Sequence, residues 1–265
     1  LGPLIARCGK AVLPLPGGCV LGSRPIDFHL KGLAKMGAEI DLNKGSVYAT
    51  AGRLKGERIT LDYPSVGATE NLMMAAALAH GVTYIENAAL EPEIINLADV
   101  LRLMGIPVKG DGTQTIRITG KPEAGPAEAE IIPDRIEAAT YLMAGIITKG
   151  SVTVRGIDSG LIDAILLKLE EAGAKIDIML DEVTAGCKGS LTGIPVKTMP
   201  YPGFPTDTQP QLMAALSPAS GTSVLHERVF DSRLLHINEF ERMGAKIALQ
   251  DSTAIVTGVA KLTGT

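Results

Sequence analysis

Two spacings of apolar positions take turns along the chain. One repeats every three to four residues, ends in glycine and runs on into an extended segment. It occurs as LKGLAKMGAEI (30–40), LADVLRLMGIPV (97–108), ILLKLEEAGAKI (165–176) and HINEFERMGAKI (236–247). That spacing predicts amphipathic helices. Gly37, Gly105, Gly173 and Gly244 close them, about seventy residues apart. Each suits the position after a helix C-cap, where glycine enters the left-handed region cheaply. A second unit is interleaved: an Ala/Met-rich helix, a glycine and a β-branched strand, in ENLMMAAALAHGVTYIEN, EAATYLMAGIITKGSVTVRG and TQPQLMAALSPASGTSVLHE, with glycines at Gly81, Gly150 and Gly221.

Strict alternation at residues 46–49 and 58–61 predicts a hairpin between them, so each period reads roughly βαβαββ. Small residues on the second helix (Ala75, Ala76, Ala77; Ala138, Ala139, Ala144; Ala214, Ala215) permit close approach and point to helices inside with sheets outside. Only 3% of residues are aromatic, which agrees with tight aliphatic packing. A polar, Gly/Pro-rich stretch at 121–130 precedes Pro133-Asp134, and a domain boundary is expected there, dividing the chain into 1–132 and 133–265. A plain loop between repeats is the competing view.

Composition narrows the function. With 265 residues, 46% of them hydrophobic, the chain can bury a full core. Lys and Arg total 25 against 29 acidic residues, so the basic field of a nucleic-acid binder is missing. Cys8, Cys19 and Cys187 form neither an even disulfide set nor a metal pair, and no histidine pair stands at ligand spacing, so no metal or cofactor is expected. No apolar run reaches the eighteen or so residues of a membrane span. The expectation is a soluble cytoplasmic protein, a monomer or weak homo-oligomer. The start at Leu-Gly-Pro-Leu and the close after Leu-Thr-Gly read as cuts in a longer chain.

Three segments can carry chemistry. Residues 16–27, PGGCVLGSRPID, set a thiol in a glycine-rich loop and then open a helix with Arg24, Pro25 and Asp27. Pro25 suits a first turn and Asp27 favours the positive helix end, where anions also dock. A thiol beside arginine and backbone N–H groups loses its proton more readily, making Cys19 a candidate nucleophile or proton donor. Cys8 and Cys187 lack such neighbours and read as small buried hydrophobes. Residues 62–69, DYPSVGAT, leave Ser65 and backbone donors at a helix start, a geometry that holds phosphate and also that of an ordinary serine cap. In FPTDTQ (204–209) an aspartate takes the equivalent place, so Asp207 is a candidate base toward a hydroxyl or a plain cap. Arg233 follows the next strand, as a further cation or one half of a structural ion pair. His29 and His236 fall on helical runs, where packing or solvent contact is expected of them.

Taken in order, Leu-Pro-Gly-Gly-Cys-x-x-Gly-x-Arg-Pro-x-Asp, Pro-Ser-Val-Gly-Ala-Thr, Glu-Asn-Ala-Ala-x-Glu-Pro-Glu-Ile, Pro-Asp-Arg-Ile-Glu and Phe-Pro-Thr-Asp resemble the UDP-N-acetylglucosamine 1-carboxyvinyltransferase family over nearly all 265 residues. The resemblance implies an inside-out α/β barrel of two domains built from βαβαββ units, here both incomplete, with the site between them. It implies transfer of enolpyruvyl from phosphoenolpyruvate to the 3-hydroxyl of UDP-N-acetylglucosamine in peptidoglycan synthesis. By motif, Cys19 is the proton donor that forms the phosphoenolpyruvate adduct and is alkylated by fosfomycin. Arg24 contacts the anionic ligands. Pro25, Ile26, Asp27 and Phe28 line the uridine side. Tyr63, Pro64, Ser65, Val66 and Gly67 correspond to the diphosphate segment, with Tyr63 where relatives often carry lysine. Asp207 and Val229 meet the amino sugar, beside Arg233. The family's amino-terminal Lys-Asn pair and three further arginines lie outside this sequence, which implies weak turnover by the 265-residue piece alone. The alternatives are 3-phosphoshikimate 1-carboxyvinyltransferase, which lacks such a loop cysteine, and a noncatalytic nucleotide-binding repeat scaffold.

Overall fold

Four helix-and-strand sets follow one another in a computed structural model that describes residues 1–15, 26–230 and 232–264. The first runs α1 (Gly2–Cys8), β1 (Lys10–Pro14), α2 (Asp27–Lys35), β2 (Glu39–Asn43) and β3 (Ser46–Thr50). The second comprises β4 (Arg58–Thr60), α3 (Val66–Ala76), β5 (Val82–Glu86), α4 (Pro92–Leu103), β6 (Val108–Lys109) and β7 (Thr115–Thr119). The third has α5 (Arg135–Ile147), β8 (Ser151–Arg155), α6 (Asp163–Glu171), β9 (Lys175–Ile178) and β10 (Glu182–Gly186). The fourth has β11 (Pro195–Lys197), α7 (Gln209–Leu216), β12 (Thr222–His226), α8 (Ile237–Arg242), β13 (Lys246–Gln250) and β14 (Thr253–Thr257). The second and fourth sets are complete βαβαββ units.

Their sheets share one topology, β4-β5-β7-β6 and β11-β12-β14-β13, while the first and third sets give β1-β3-β2 and β8-β10-β9. The opening strand pairs in parallel with the strand after the helix, β4 with β5 and β11 with β12. Parallel neighbours need a crossover, and α3 and α7 supply it.

The expected hairpin between residues 46–49 and 58–61 does not form. β3 pairs instead with β2, from Glu39↔Thr50 to Asn43↔Ser46. Lys44 (φ 49°) and Gly45 (φ 74°) close that hairpin, and a two-residue loop with both φ positive matches the strand twist. Arg58–Thr60 belongs to the next sheet, where the Thr60 hydroxyl donates to Glu86 Oε2 (2.8 Å), Arg58 pairs with Glu86, and the Arg58 guanidinium lies 4.7 Å from the Tyr84 ring centre. Cross-strand partners, which alternation does not reveal, decide the pairing.

All four helix-closing glycines adopt the expected left-handed conformation, at φ 97°, 84°, 94° and 89° for Gly37, Gly105, Gly173 and Gly244. Each is followed by a bond from the next N–H back across the last turn, such as Ala38 N to Leu33 O at 3.0 Å and Ala174 N to Leu169 O at 2.9 Å. This Schellman closure turns the chain sharply into the strand. After α5 the pattern shifts by one residue, and Lys149 (φ 56°) takes the left-handed position in place of Gly150.

Two compact units divide between Ile132 and Pro133. In the first, Ala68, Leu72, Met73, Ala75 and Ala76 of α3 are buried, with α1, α2 and α4 packed around that helix. In the second, α5 and α7 pack together, and Ala139, Leu142, Leu212 and Ala215 are buried in that core. The strands turn one face inward with period two, as in Ile85 with Ile116 and Ile118, and Val183 with Ala185. Helices therefore fill each interior and sheets form its outside. The two cores have no residue in common. Cys187 is buried as expected, whereas Cys8, on the last turn of α1, is exposed, so the small-hydrophobe reading fails for it. No described helix is long and apolar enough to cross a membrane.

Candidate functional site

Two of the sequence-predicted segments meet in the first unit. α2 starts at Asp27 with Ile26 as its N-cap, so the carboxylate sits in the first turn, near the positive helix end. Asp27 Oδ2 lies 3.3 Å from Lys31 Nζ, which also reaches Asp62 Oδ2 at 3.6 Å. The hydrogen bond and charge of Asp27, and then Asp62, hold the Lys31 ammonium above its ordinary range. The bridge ties α2 to the loop that leads into α3. Beside it, Phe28, Lys31, Lys35, Ile59, Thr60 and Asp62 line a cleft of about 140 Å³. His29, on the same helix, faces the start of α3. Its imidazole is near enough to Gly67 that a Cβ there would stand 3.6 Å from Cε1. Burial pushes the His29 pKa down, opposed in part by Asp27.

Ser65 is the N-cap of α3, its Oγ accepting from the Ala68 N–H at 3.3 Å. The cap reading therefore holds for Ser65. The Thr69 hydroxyl donates to Ser65 O (2.8 Å) and accepts from Ala89 N (3.1 Å), fastening the helix start to the strand end beyond β5. Tyr63, Pro64 and Val66 are half-buried and Gly67 is exposed.

In the second unit, Asp207 does not take the cap place expected of it. Thr208 stands at the N-cap of α7, and Asp207 lies one residue before it, inside a single 3-10 turn, Thr206–Thr208, that leads into α7. Eleven residues (198–208) separate β11 from α7 and five (61–65) separate β4 from α3, and the six extra residues include the 3-10 turn that holds Asp207. Asp207 Oδ1 instead accepts from Arg233 Nη2 at 2.8 Å. Arg233 is 9% exposed and Asp207 57%, so a buried cation anchors a carboxylate that remains open to solvent. The Arg233 guanidinium also lies 5.5 Å from the centre of the Phe230 ring, a cation–π distance. Its carbonyl meets His236 Nδ1 at 3.0 Å, and burial lowers the His236 pKa.

Sequence reading missed the group that organises this corner. Glu227, only 3% exposed, follows β12 and accepts four hydrogen bonds. A repeat-by-repeat comparison contains the signal, because the matching place after β5 is also polar. There Asn87 donates to Leu61 O at 2.9 Å.

Ile26, Asp27, Phe28, Tyr63, Pro64, Ser65, Val66 and Gly67 thus fall in the first unit, and Asp207, Val229 and Arg233 in the second. Cys19, Arg24 and Pro25 lie outside the described residues. Among the described residues no His, Cys, Asp and Glu side chains converge as a metal-binding group.

Interior helices and outer sheets in repeated βαβαββ sets define an α/β protein with the enolpyruvyl transferase fold. The crystal structure of the enolpyruvyl transferase NikO from Streptomyces tendae aligns with a TM-score of 0.83 at 28% identity, over 97% of this chain and 62% of that one. An EPSP synthase from Acinetobacter baumannii aligns at TM-score 0.62 and 22% identity, a likeness of fold. The chain belongs to the EPSP synthase (3-phosphoshikimate 1-carboxyvinyltransferase) family, whose model matches residues 1–265. Within that family its curated relatives are UDP-N-acetylglucosamine 1-carboxyvinyltransferases. One from Carboxydothermus hydrogenoformans is 52% identical over 264 residues, and one from Staphylococcus aureus is 49% identical over 265. The chain spans 63% of the length of each.

Proposed function

We propose that this chain is part of a UDP-N-acetylglucosamine 1-carboxyvinyltransferase, an enzyme of peptidoglycan synthesis in the cytoplasm, and carries its catalytic cysteine and aspartate. The observation that carries the reading is 52% identity across the whole chain to a protein of that name. The relatives' names favour UDP-N-acetylglucosamine over shikimate 3-phosphate, and a comparison of turnover with the two acceptors separates them.

In this reading Asp207 accepts the proton of the sugar 3-hydroxyl as its oxygen attacks C2 of phosphoenolpyruvate. Cys19 gives a proton to the methylene carbon. Loss of a proton from the resulting methyl group and departure of phosphate then regenerate the enol ether. Arg24, with the cations of the complete site, offsets charge that develops on phosphate and carboxylate. Arg233 holds the Asp207 carboxylate in one orientation, so that its second oxygen is directed by a fixed partner. The α3 start at residues 63–67 offers backbone donors for the diphosphate, with Ile26, Asp27 and Phe28 alongside for the nucleoside.

Mass spectrometry of the protein with fosfomycin tests the reading. The expected result is a covalent addition mapped to Cys19 that depends on UDP-N-acetylglucosamine and disappears in Cys19→Ser. Enolpyruvyl transfer and fosfomycin sensitivity both persisting in Cys19→Ser overturn it.

A further inference from the structure

We propose that Glu227 is the positioning residue that sets the sugar-binding corner, by fastening two separate loops to one buried carboxylate. The proposal rests on the functional reading above, in which Asp207 and Val229 meet the amino sugar. Those two residues lie on different connections, Asp207 between β11 and α7 and Val229 between β12 and α8.

Glu227 joins the two connections. Its Oε2 accepts from the hydroxyl of Thr206 (2.9 Å), the residue before Asp207. Its Oε1 accepts from the N–H groups of Val229 (2.9 Å) and Phe230 (3.3 Å). Oε1 also accepts from the Thr198 hydroxyl (2.8 Å), which in turn accepts from Arg228 N (2.9 Å). The Arg228 bond fixes the direction of the Thr198 hydroxyl and polarises it toward the carboxylate, a cooperative chain. Phe230 carries the arrangement on to Arg233, and Arg233 to Asp207.

A need to close the fold alone does not require a carboxylate here. The corresponding loop after β5 is closed by neutral Asn87 with one bond. Burying a charged group costs far more than burying an amide, and the cost is offset only by several donors held at fixed places. Those donors are the backbone of the proposed sugar contact and the neighbour of the proposed base.

Steady-state kinetics on the protein at its full length test this, with both substrates varied. Glu227→Ala is expected to lower kcat/KM for UDP-N-acetylglucosamine by about tenfold or more, since it strands two amides and two hydroxyls. The KM for phosphoenolpyruvate should move less. Glu227→Gln keeps the shape and most acceptor capacity and is expected to recover activity to within about threefold of wild type. Thr206→Val cuts only the Oε2 link and should raise the KM for the sugar nucleotide in a protein that still folds. Ser223→Ala is the control: among the described residues its buried hydroxyl accepts from Ile194 N (3.2 Å), just before β11, so it should lower Tm and leave kcat/KM alone. Unchanged kcat/KM in Glu227→Ala, or an equal loss in Ser223→Ala, overturns the proposal while the transferase reading stands. Absence of enolpyruvyl transfer by the wild-type protein overturns both.

Discussion

Asp207 and Glu70 illustrate how one functional group, the carboxylate, serves opposite ends. Asp207 stays exposed on one side and is held on the other by Arg233. Under the proposed function, replacing it with asparagine keeps an oxygen for Arg233 but removes the proposed base, so kcat should fall by roughly 10²- to 10⁴-fold. A stopped phosphate-release assay reads this directly. Among the described residues Glu70 has no such cationic anchor. It is half-buried on α3, and burial, followed by the charges of Glu93 and Glu91, pushes its pKa up. A carboxylate whose folded pKa is raised favours folding below its unfolded value of 4.5 and penalises it once pH exceeds the folded value. Glu70→Gln should therefore raise Tm at pH 7, with the gain vanishing near pH 4 in thermal melts at both pH values. His29 and His236 have the reverse linkage. Burial depresses both from an ordinary 6.5, so the stability they allow is present above that pH and lost as pH falls through it. Urea midpoints should fall between pH 7.5 and 5.5, and less steeply in a His29→Gln, His236→Gln double variant.

At the scale of elements, helix ends were legible and sheet edges were not. A glycine after an amphipathic run has one cheap explanation, and four such glycines each produced the same closure. β4 and β11 are three-residue strands whose identity depends on distant partners, Tyr84 to Glu86 and Val224 to His226. Alternation over so short a span carries no partner information, and the misassigned hairpin follows from that. The same limit hid Glu227, because a lone acid after a strand looks like a solvated one until its four donors are in place. The strand-edge geometry also makes a prediction. A Cβ on Gly193, just before β11, would stand 2.5 Å from Thr222 O, and one on Gly56, before β4, 2.5 Å from Val82 O. The obstacle is backbone in both cases and cannot rotate away. Gly193→Ala should cost on the order of 2–4 kcal/mol, seen as a lower midpoint in denaturant unfolding.

For the molecule as a whole, the seventy-residue period carried most of the architecture, since self-similar helices and strands must bury self-similar faces. It did not determine where polar groups converge. Ser65 and Asp207 read as equivalents by motif, yet six extra residues between β11 and α7 put one on the cap and the other inside the 3-10 turn. The separate cores carry a further expectation. Every residue of the second unit's core comes from beyond Pro133, so residues 133–265 expressed alone should unfold in one cooperative transition. Circular dichroism against temperature checks it, and a broad, baseline-like melt would refute it.

The exposed sulfur at the end of α1 has a practical outcome for inhibitor work. Thiol-directed warheads will encounter Cys8 as a bystander, while buried Cys187 is shielded from them. Stoichiometry from intact mass alone would therefore overstate occupancy of any catalytic thiol. A Cys8→Ser background gives drug screening against this protein a clean count.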